Sequence, residues 1–209
     1  MSCILNIETS TSVCSVALSM DGEVLFAKAS FDGPSHAALL GVFVEEALSV
    51  LKKKGKKALD AVAVSSGPGS YTGLRIGVSV AKGLCFGFGI PLIGIHTLDI
   101  MAATVNSKGD SQIVSITDDC LYCAMLDARR MEVYAAIYDA SLKPVRETKA
   151  DIVEVGIFIE DIHPLAVNMI PLSEQAFATG KFEDTAYFEP FYLKEFQATV
   201  AKNKVLLAR

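Results

Sequence analysis

A chain of 209 residues is long enough for one large domain or two smaller ones. Its hydrophobic fraction of 51%, with eleven Phe and six Tyr against seven Pro, excludes an intrinsically disordered protein. The formal net charge of −5 argues against nucleic-acid binding through a basic face of this chain. The first residues show neither a basic segment nor a small-residue cleavage site, so we expect no signal peptide and a cytoplasmic chain with reduced cysteines.

The first part of the sequence predicts three strands and a helix. Apolar runs at 3–8 and 13–18 are separated by a polar turn, and a second turn leads into a strand at 23–30. Apolar residues then recur at helical spacing between 36 and 54, which predicts an amphipathic helix. Its apolar positions are Leu39, Leu40, Phe43, Ala47, Leu48 and Leu51. Lysines in its last turn and Gly55 just beyond it are typical of a helix C-terminus.

The following segments alternate between strand and helix. We predict a strand at 59–65, a tight connection at 67–70, a helix at 71–86, a strand at 90–95 and a helix at 97–105. The twenty residues 76–95 carry Lys82 as their only charge, but Pro91 and several glycines interrupt them. We therefore interpret this stretch as a buried helix followed by a buried strand, and expect no membrane span.

The second half begins with a pattern that resembles the first. Strands are predicted at 113–116, 121–127 and 132–139, which completes a mixed α/β pattern. A strand that ends in Asp127 is followed by a returning strand, and the same arrangement is found around Glu8 in the first half. This repeat predicts two related subdomains at 1–100 and 101–209. The alternative is that the two hairpins are unrelated, because any two hairpins look alike. Between 140 and 163 there are too few residues for a crossover helix and a parallel strand, so this half is abbreviated or lacks a segment there.

The segment 66–73, with the sequence Ser-Gly-Pro-Gly-Ser-Tyr-Thr-Gly, lies between a predicted strand and a predicted helix. Free backbone N–H groups at the start of a helix favour an anion. The segment lacks the Gly-Lys-Ser/Thr of a P-loop and the glycine spacing of a dinucleotide fingerprint. It is therefore either a phosphate contact or a plain tight turn.

Small residues recur every four positions along the helix that follows, at Gly69, Gly73, Gly77 and Ala81. Each glycine in a helix interior costs about 0.5–1 kcal/mol relative to alanine, so the stripe needs a structural reason. That reason is the close approach of another backbone. The approaching group is either part of the chain's own fold or a second subunit.

Groups with catalytic or metal-binding potential are few. The three histidines form no metal-binding pair, and no nucleophile-elbow sequence is present. Cys120 and Cys123 form a CxxC half-site with nothing to complete four ligands, so we expect no metal. Glu8 and Asp127 could bind Mg²⁺ near nucleotide phosphates, or each could simply accept hydrogen bonds from local N–H groups.

Three blocks of the sequence resemble a known family. These are Ile-Glu-Thr-Ser-Thr-Ser-Val-Cys-Ser-Val-Ala-Leu at 7–18, Ser-Gly-Pro-Gly-Ser-Tyr-Thr-Gly-Leu-Arg-Ile-Gly-Val-Ser-Val-Ala-Lys-Gly-Leu at 66–84, and Leu-Asp-Ala-Arg-Arg-Met-Glu-Val-Tyr at 126–134. Together with Gly-Ile-Pro-Leu-Ile-Gly at 89–94, they resemble the TsaB (YeaZ) family of threonylcarbamoyladenosine biosynthesis proteins. The resemblance covers most of residues 1–139 and resumes weakly at 192–194.

The resemblance implies an α/β fold of the actin/Hsp70/sugar-kinase (ASKHA) type with two related subdomains. It also implies a non-catalytic, cytoplasmic partner of TsaD, the enzyme that transfers threonylcarbamoyl to adenosine 37 of tRNAs reading ANN codons. TsaE, an ATPase, joins the pair, and tRNA is reached only through the complex. The metal-binding histidine pair of TsaD falls on Thr97 and Met101 here, with His96 beside them, and neither replacement is a good ligand for a hard metal.

The family packs the helices at 35–54 and 71–86 against the same pair in TsaD, or against a second copy in a homodimer. The implied interface residues are Leu39, Leu40, Phe43, Ala47, Gly73, Gly77, Val80 and Ala81. A vestigial nucleotide cleft would contain Glu8, Thr9, Ser10, Asp127 and Arg129, with ATP or ADP held at most at the complex interface. Glu8 stands where the family has Asp. The alternative function is a nucleotide-binding ATPase or phosphotransferase that uses this cleft.

Overall fold

The computed structural model describes residues 2–33, 35–55, 58–107, 121–128, 132–139, 141, 143–151 and 163–193. Five strands form the larger sheet, in the order β3-β2-β1-β4-β5. They are β1 (Cys3–Glu8), β2 (Cys14–Met20), β3 (Glu23–Ser30), β4 (Ala61–Gly67) and β5 (Leu92–His96). The first three strands are antiparallel, whereas β4 and β5 run parallel to β1. The carboxyl ends of β1, β4 and β5 therefore meet at one end of this sheet.

Two long helices cover one face of the larger sheet. They are α1 (His36–Lys53) and α2 (Tyr71–Phe88), and they pack on alternate side chains of the central strands such as Leu5 and Val64. The Ser70 hydroxyl accepts a hydrogen bond from the Gly73 N–H at the start of α2, and Gly89 ends this helix in the left-handed conformation at φ 66°. Both are standard helix caps, so the boundaries of α2 are encoded locally.

The opposite face of the sheet is covered by α3 (Thr97–Ser107), α4 (Ile170–Ala178) and a 3₁₀ helix (Ala166–Met169). Side chains from the other set of strand positions, including Ile4 and Ile93, pack against them. The strands are therefore buried on both faces, which explains their nearly continuous apolar sequences.

A smaller sheet follows in the second half of the chain, with the order β6-β7-β8. Its strands are β6 (Tyr122–Asp127), β7 (Val133–Tyr138) and β8 (Pro144–Asp151), and all of its pairings are antiparallel. This arrangement repeats that of β1, β2 and β3, as the internal echo predicts. The division of the chain into subdomains at residue 100 stays a prediction.

Most of the predicted elements are confirmed, with shifts of one or two residues at their ends. The segment 76–95 divides as expected, because α2 ends at Phe88 and β5 begins at Leu92. In the described part of the chain, no helix is both long and apolar enough to span a bilayer. The strand predicted at 113–116 lies outside the described residues, while β8, the 3₁₀ helix and α4 were not predicted.

Candidate functional site

The loop after β1 and the first turns of α2 lie in direct contact. A Cβ atom placed on Gly69 would overlap the Ser10 carbonyl oxygen, and one on Gly73 would overlap the Thr9 carbonyl oxygen. A Cβ on Gly77 would overlap the Thr9 hydroxyl in the same way. The glycine stripe therefore exists because the loop after β1 approaches the α2 backbone too closely for any side chain.

This contact corrects the interpretation of the stripe as a partner surface. Gly73, Gly77 and Ala81 are buried within the chain, and the group that approaches the two glycines is the chain's own loop. Three further predicted interface residues are also buried in the core beneath α1, namely Leu40, Phe43 and Ala47. These six residues are buried within the fold and present no surface to another protein. Of the eight predicted interface residues, only the half-buried Leu39 and Val80 border the outside.

The segment 66–73 is also closed by this loop. The Ser70 N–H donates to the Ser10 carbonyl at 2.6 Å, and the Thr9 hydroxyl donates to the Gly73 carbonyl at 2.8 Å. The Gly73 N–H is used by the Ser70 cap at 3.3 Å. Two of the N–H groups that an anion could use, those of Ser70 and Gly73, are thus bonded within the protein, which favours the tight-turn interpretation of this segment over a phosphate contact.

Glu8 lies at the carboxyl end of β1 and is completely buried. Burial raises the pKa of its carboxyl group to about 7, although hydrogen bonds from Ser10 and Ser65 act in the opposite direction. Its Oε1 atom accepts from the Ser10 N–H at 2.5 Å, while Oε2 has no hydrogen-bond partner within the described part of the chain. This carboxyl group is sealed within the fold, beside Thr9 and Ser10, which are buried as well.

The other predicted cleft residues have different surroundings. Asp127 ends β6 and is exposed, whereas Arg129 lies outside the described residues. Across the described ranges, no three His, Cys, Asp or Glu side chains are close enough to share a metal ion. Cys123 is exposed, and its CxxC neighbour Cys120 lies outside the described residues.

The positions that correspond to the TsaD histidine pair lie on α3. Thr97 is fully buried, and its hydroxyl has no hydrogen-bond partner among the described residues, while Met101 packs in an apolar cluster with Tyr138. His96 precedes the helix, is exposed, and meets the Phe191 ring edge-on at 5.7 Å. One hydroxyl and one thioether are a poor donor set for a hard cation, so these residues do not fit a metal of the kind that a histidine pair binds.

The outward side of α1 and α2, which we call the outer face, is open. Its apolar and small residues are Leu39, Gly41, Val42, Ile76, Val80 and Gly83. A Cβ atom on Gly41 or Gly83 would meet nothing within 4 Å, in contrast to the buried glycines of α2. The sequence pattern missed this distinction, because helical spacing shows which glycines share a side of a helix but not which side the rest of the fold covers.

Residues 181–193 form a C-terminal strap across the edge of β5 and along α2, which the sequence analysis missed. Its hydrogen bonds run from the Glu183 N–H to the Leu92 carbonyl (2.9 Å), from the Lys82 ammonium to the Ala186 and Phe188 carbonyls (3.0 Å each), and from the Phe191 N–H to the Ser66 carbonyl (2.6 Å). The Tyr192 ring also stacks at 4.9 Å on Tyr71 at the start of α2. The strap therefore links α2 to the edge of β5 and to the carboxyl end of β4. Closely spaced aromatic residues were its only signal in the sequence.

Comparison with known proteins identifies the fold and the broad family of this chain. The family model described as "TsaD: tRNA N6-adenosine threonylcarbamoyltransferase" matches residues 32–202. A solved structure of YeaZ from Pseudomonas aeruginosa superimposes with a TM-score of 0.77 at 25% identity, covering 92% of this chain and 100% of that chain. The fold is thus of the actin/Hsp70/sugar-kinase type, as the sequence resemblance implies.

Similar proteins with curated names identify the family more closely. The chain is 32% identical to the tRNA threonylcarbamoyladenosine biosynthesis protein TsaB of Escherichia coli, over 91% of this chain and 94% of that protein. It is 30% identical to TsaB of Bacillus subtilis over 65% of this chain and 54% of that protein. It is also 38% identical to a tRNA N6-adenosine threonylcarbamoyltransferase of Nitratidesulfovibrio vulgaris, over 47% of this chain and 31% of that protein. The chain belongs to the TsaB family of tRNA threonylcarbamoyladenosine biosynthesis proteins.

Proposed function

We propose that this chain is a non-catalytic subunit that binds TsaD and makes it competent to modify adenosine 37 of tRNAs reading ANN codons. TsaE joins the pair to complete the complex, and tRNA is reached through the complex. The chain acts in the cytoplasm. Any ATP or ADP is held at the interface between subunits.

The outer face of α1 and α2 is the observation that carries this proposal. Val42 is exposed on α1, and the half-buried Leu39, Ile76 and Val80 border the same surface. Gly83 leaves the α2 backbone uncovered there. A helix pair with apolar borders and an uncovered glycine allows close packing by the helices of a partner, such as TsaD or, when the chain is alone, a second copy.

The non-catalytic role is supported by the chemistry of the residues that a catalytic relative would use. Thr97 and Met101 offer no ligand set for a metal, and Glu8 is sealed beneath the loop that follows β1. A carboxyl group that is enclosed and holds its proton up to about pH 7 is a poor ligand for a nucleotide-bound cation. The proposal therefore places transfer chemistry in TsaD and the activating contact in this chain.

Substitution of Gly83 tests the docking surface. In Gly83→Arg, the new Cβ atom would meet nothing within 4 Å and a long charged side chain would stand on the outer face, so the chain should fold normally. We expect titration calorimetry with purified TsaD to give at least tenfold weaker binding for this variant. Gly83→Ala is the matched control, because one methyl group adds little bulk and should leave the affinity within about twofold.

A buried control separates docking from folding. Gly77→Leu would force a side chain into the Thr9 hydroxyl, so any loss of binding in that variant would report misfolding. Gly83→Arg should retain the circular dichroism spectrum and melting profile of the unmodified chain. If the Gly83→Arg variant is folded and binds TsaD with unchanged affinity, the outer face is not the docking surface for TsaD.

A further inference from the structure

A cavity of about 260 Å³ lies between β5, the start of α3 and α4, on the side of the sheet away from the outer face. Ile95, Leu172 and Ala176 give it an apolar wall. The remaining lining is polar and comes from Gly94, His96, Asp99, Gln175, Thr179 and Lys181. None of these polar residues is used by the proposed docking of TsaD, so this cavity needs an account of its own.

One side of the cavity is the outer edge of β5. The Pro91 carbonyl accepts from Val62 of β4, so the backbone of every second residue from Leu92 onward is directed away from β4. Leu92 uses this outer position to pair with Glu183 of the strap. The Glu183 carboxylate and the Phe188 ring also stand against Gly94, since a Cβ atom there would meet each of them at 3.0 Å. Gly94 still lines the cavity, so a small ligand there would lie beside its backbone.

The side chains of the cavity carry both signs of charge. Asp99 accepts a hydrogen bond from the Tyr138 hydroxyl through Oδ1 at 2.6 Å, which fixes the carboxylate and leaves Oδ2 without a partner among the described residues. Lys181 is exposed and forms no salt bridge within the described ranges. A fixed carboxylate and the Lys181 ammonium therefore border one cavity, whose other polar side chains are those of His96, Gln175 and Thr179.

From this arrangement we infer that the cavity binds a small α-amino acid as its zwitterion. The ligand ammonium would bind Asp99, and the ligand carboxylate would bind Lys181, so both charges meet an opposite charge. The Gly94 backbone lies beside the ligand, and the apolar wall accepts a short side chain. The volume of about 260 Å³ is below the usual range for drug-sized ligands and suits a molecule of this size.

Binding of L-alanine to the full chain tests the inference. In ¹H–¹⁵N NMR spectra, we expect millimolar L-alanine to shift the amide signals of Gly94, Gln175 and Thr179 along saturable curves. N-acetyl-L-alanine lacks the ammonium and L-alaninamide lacks the carboxylate, so each should bind at least tenfold more weakly. Comparable shifts from either derivative, or none with 50 mM L-alanine, would overturn the inference.

Lys181→Gln provides the second arm, because this side chain is exposed and its removal should leave the fold intact. We expect at least fivefold weaker L-alanine binding in this variant, and unchanged binding in Lys143→Gln, an exposed lysine just before β8 of the smaller sheet. Equal affinity in Lys181→Gln and the unmodified chain would contradict the assigned role of the ammonium. The test requires no TsaD, so its result is independent of the docking proposal.

Discussion

Replacement of Glu8 by Gln should change how the stability of this protein depends on pH. The carboxyl group is fully buried, and its pKa is raised from 4.5 to about 7, mainly by burial. The folded state therefore binds a proton that the unfolded state has released between these two pH values. As the pH rises through this window, the contribution of Glu8 to the free energy of unfolding falls, and above pH 7 the full loss is present.

The size of the effect follows from the distance between the two pKa values. Each pKa unit corresponds to about 1.4 kcal/mol, so ionisation of Glu8 costs about 3 kcal/mol of stability by pH 8. Gln has nearly the same shape and can accept the 2.5 Å hydrogen bond from the Ser10 N–H, but it never carries a charge. Glu8→Gln should thus match the unmodified chain near pH 4.5 and exceed its stability by about 3 kcal/mol at pH 8.

Urea denaturation at pH 5, 6, 7 and 8 measures this difference directly. The comparison uses the gap between variant and unmodified chain at each pH, which cancels the titration of all other groups. Glu45→Gln is the matched control, because this carboxylate is exposed on α1 and its replacement should give a nearly constant gap. A gap for Glu8→Gln that stays constant within about 0.5 kcal/mol from pH 5 to pH 8 would refute the reasoning.

Two further predictions concern α2. Gly77→Ala should lower the free energy of unfolding by more than 1 kcal/mol, because its methyl group would overlap the Thr9 hydroxyl, whereas Gly83→Ala should raise it by about 0.5–1 kcal/mol through helix propensity. Urea denaturation measures the change in the free energy of unfolding for both variants. Equal changes would contradict the conclusion that Gly77 is in close contact with Thr9 and that Gly83 is uncovered. Lys82→Met should remove both hydrogen bonds to the C-terminal strap and accelerate amide hydrogen exchange at Phe188 and Phe191, and unchanged exchange there would show that Lys82 does not hold the strap.

The sequence predicts local structure well where short-range rules apply. The extent of α2 follows from its Ser70 cap, its apolar spacing and the left-handed Gly89, all of which are encoded within the helix and its ends. The repeated hairpin, whose first strand ends in Asp127, could also be predicted, because strand alternation and turns are local signals. In contrast, β8 is polar and largely exposed, so it carries no apolar alternation that would distinguish it from a loop.

Long-range contacts account for what the sequence could not decide. The glycine stripe predicts close approach of another backbone, but Gly77 has the same sequence signal whether Thr9 or a second chain approaches it. Likewise, nothing near Lys82 in the sequence identifies the Phe188 carbonyl as its partner, because 106 residues separate the two. The candidate interface residues therefore lie mostly on the buried sides of α1 and α2, while the use of these helices as an interface stays a prediction.

The most direct test of the proposed function is an omission assay for threonylcarbamoyladenosine on tRNA. TsaD, TsaE, ATP and threonylcarbamoyl-adenylate would be supplied with and without this chain, and the chain would also be assayed without TsaD. We predict modified tRNA only when both this chain and TsaD are present. Product formed by this chain without TsaD, or full activity of TsaD without this chain, would contradict the account of an obligatory non-catalytic partner.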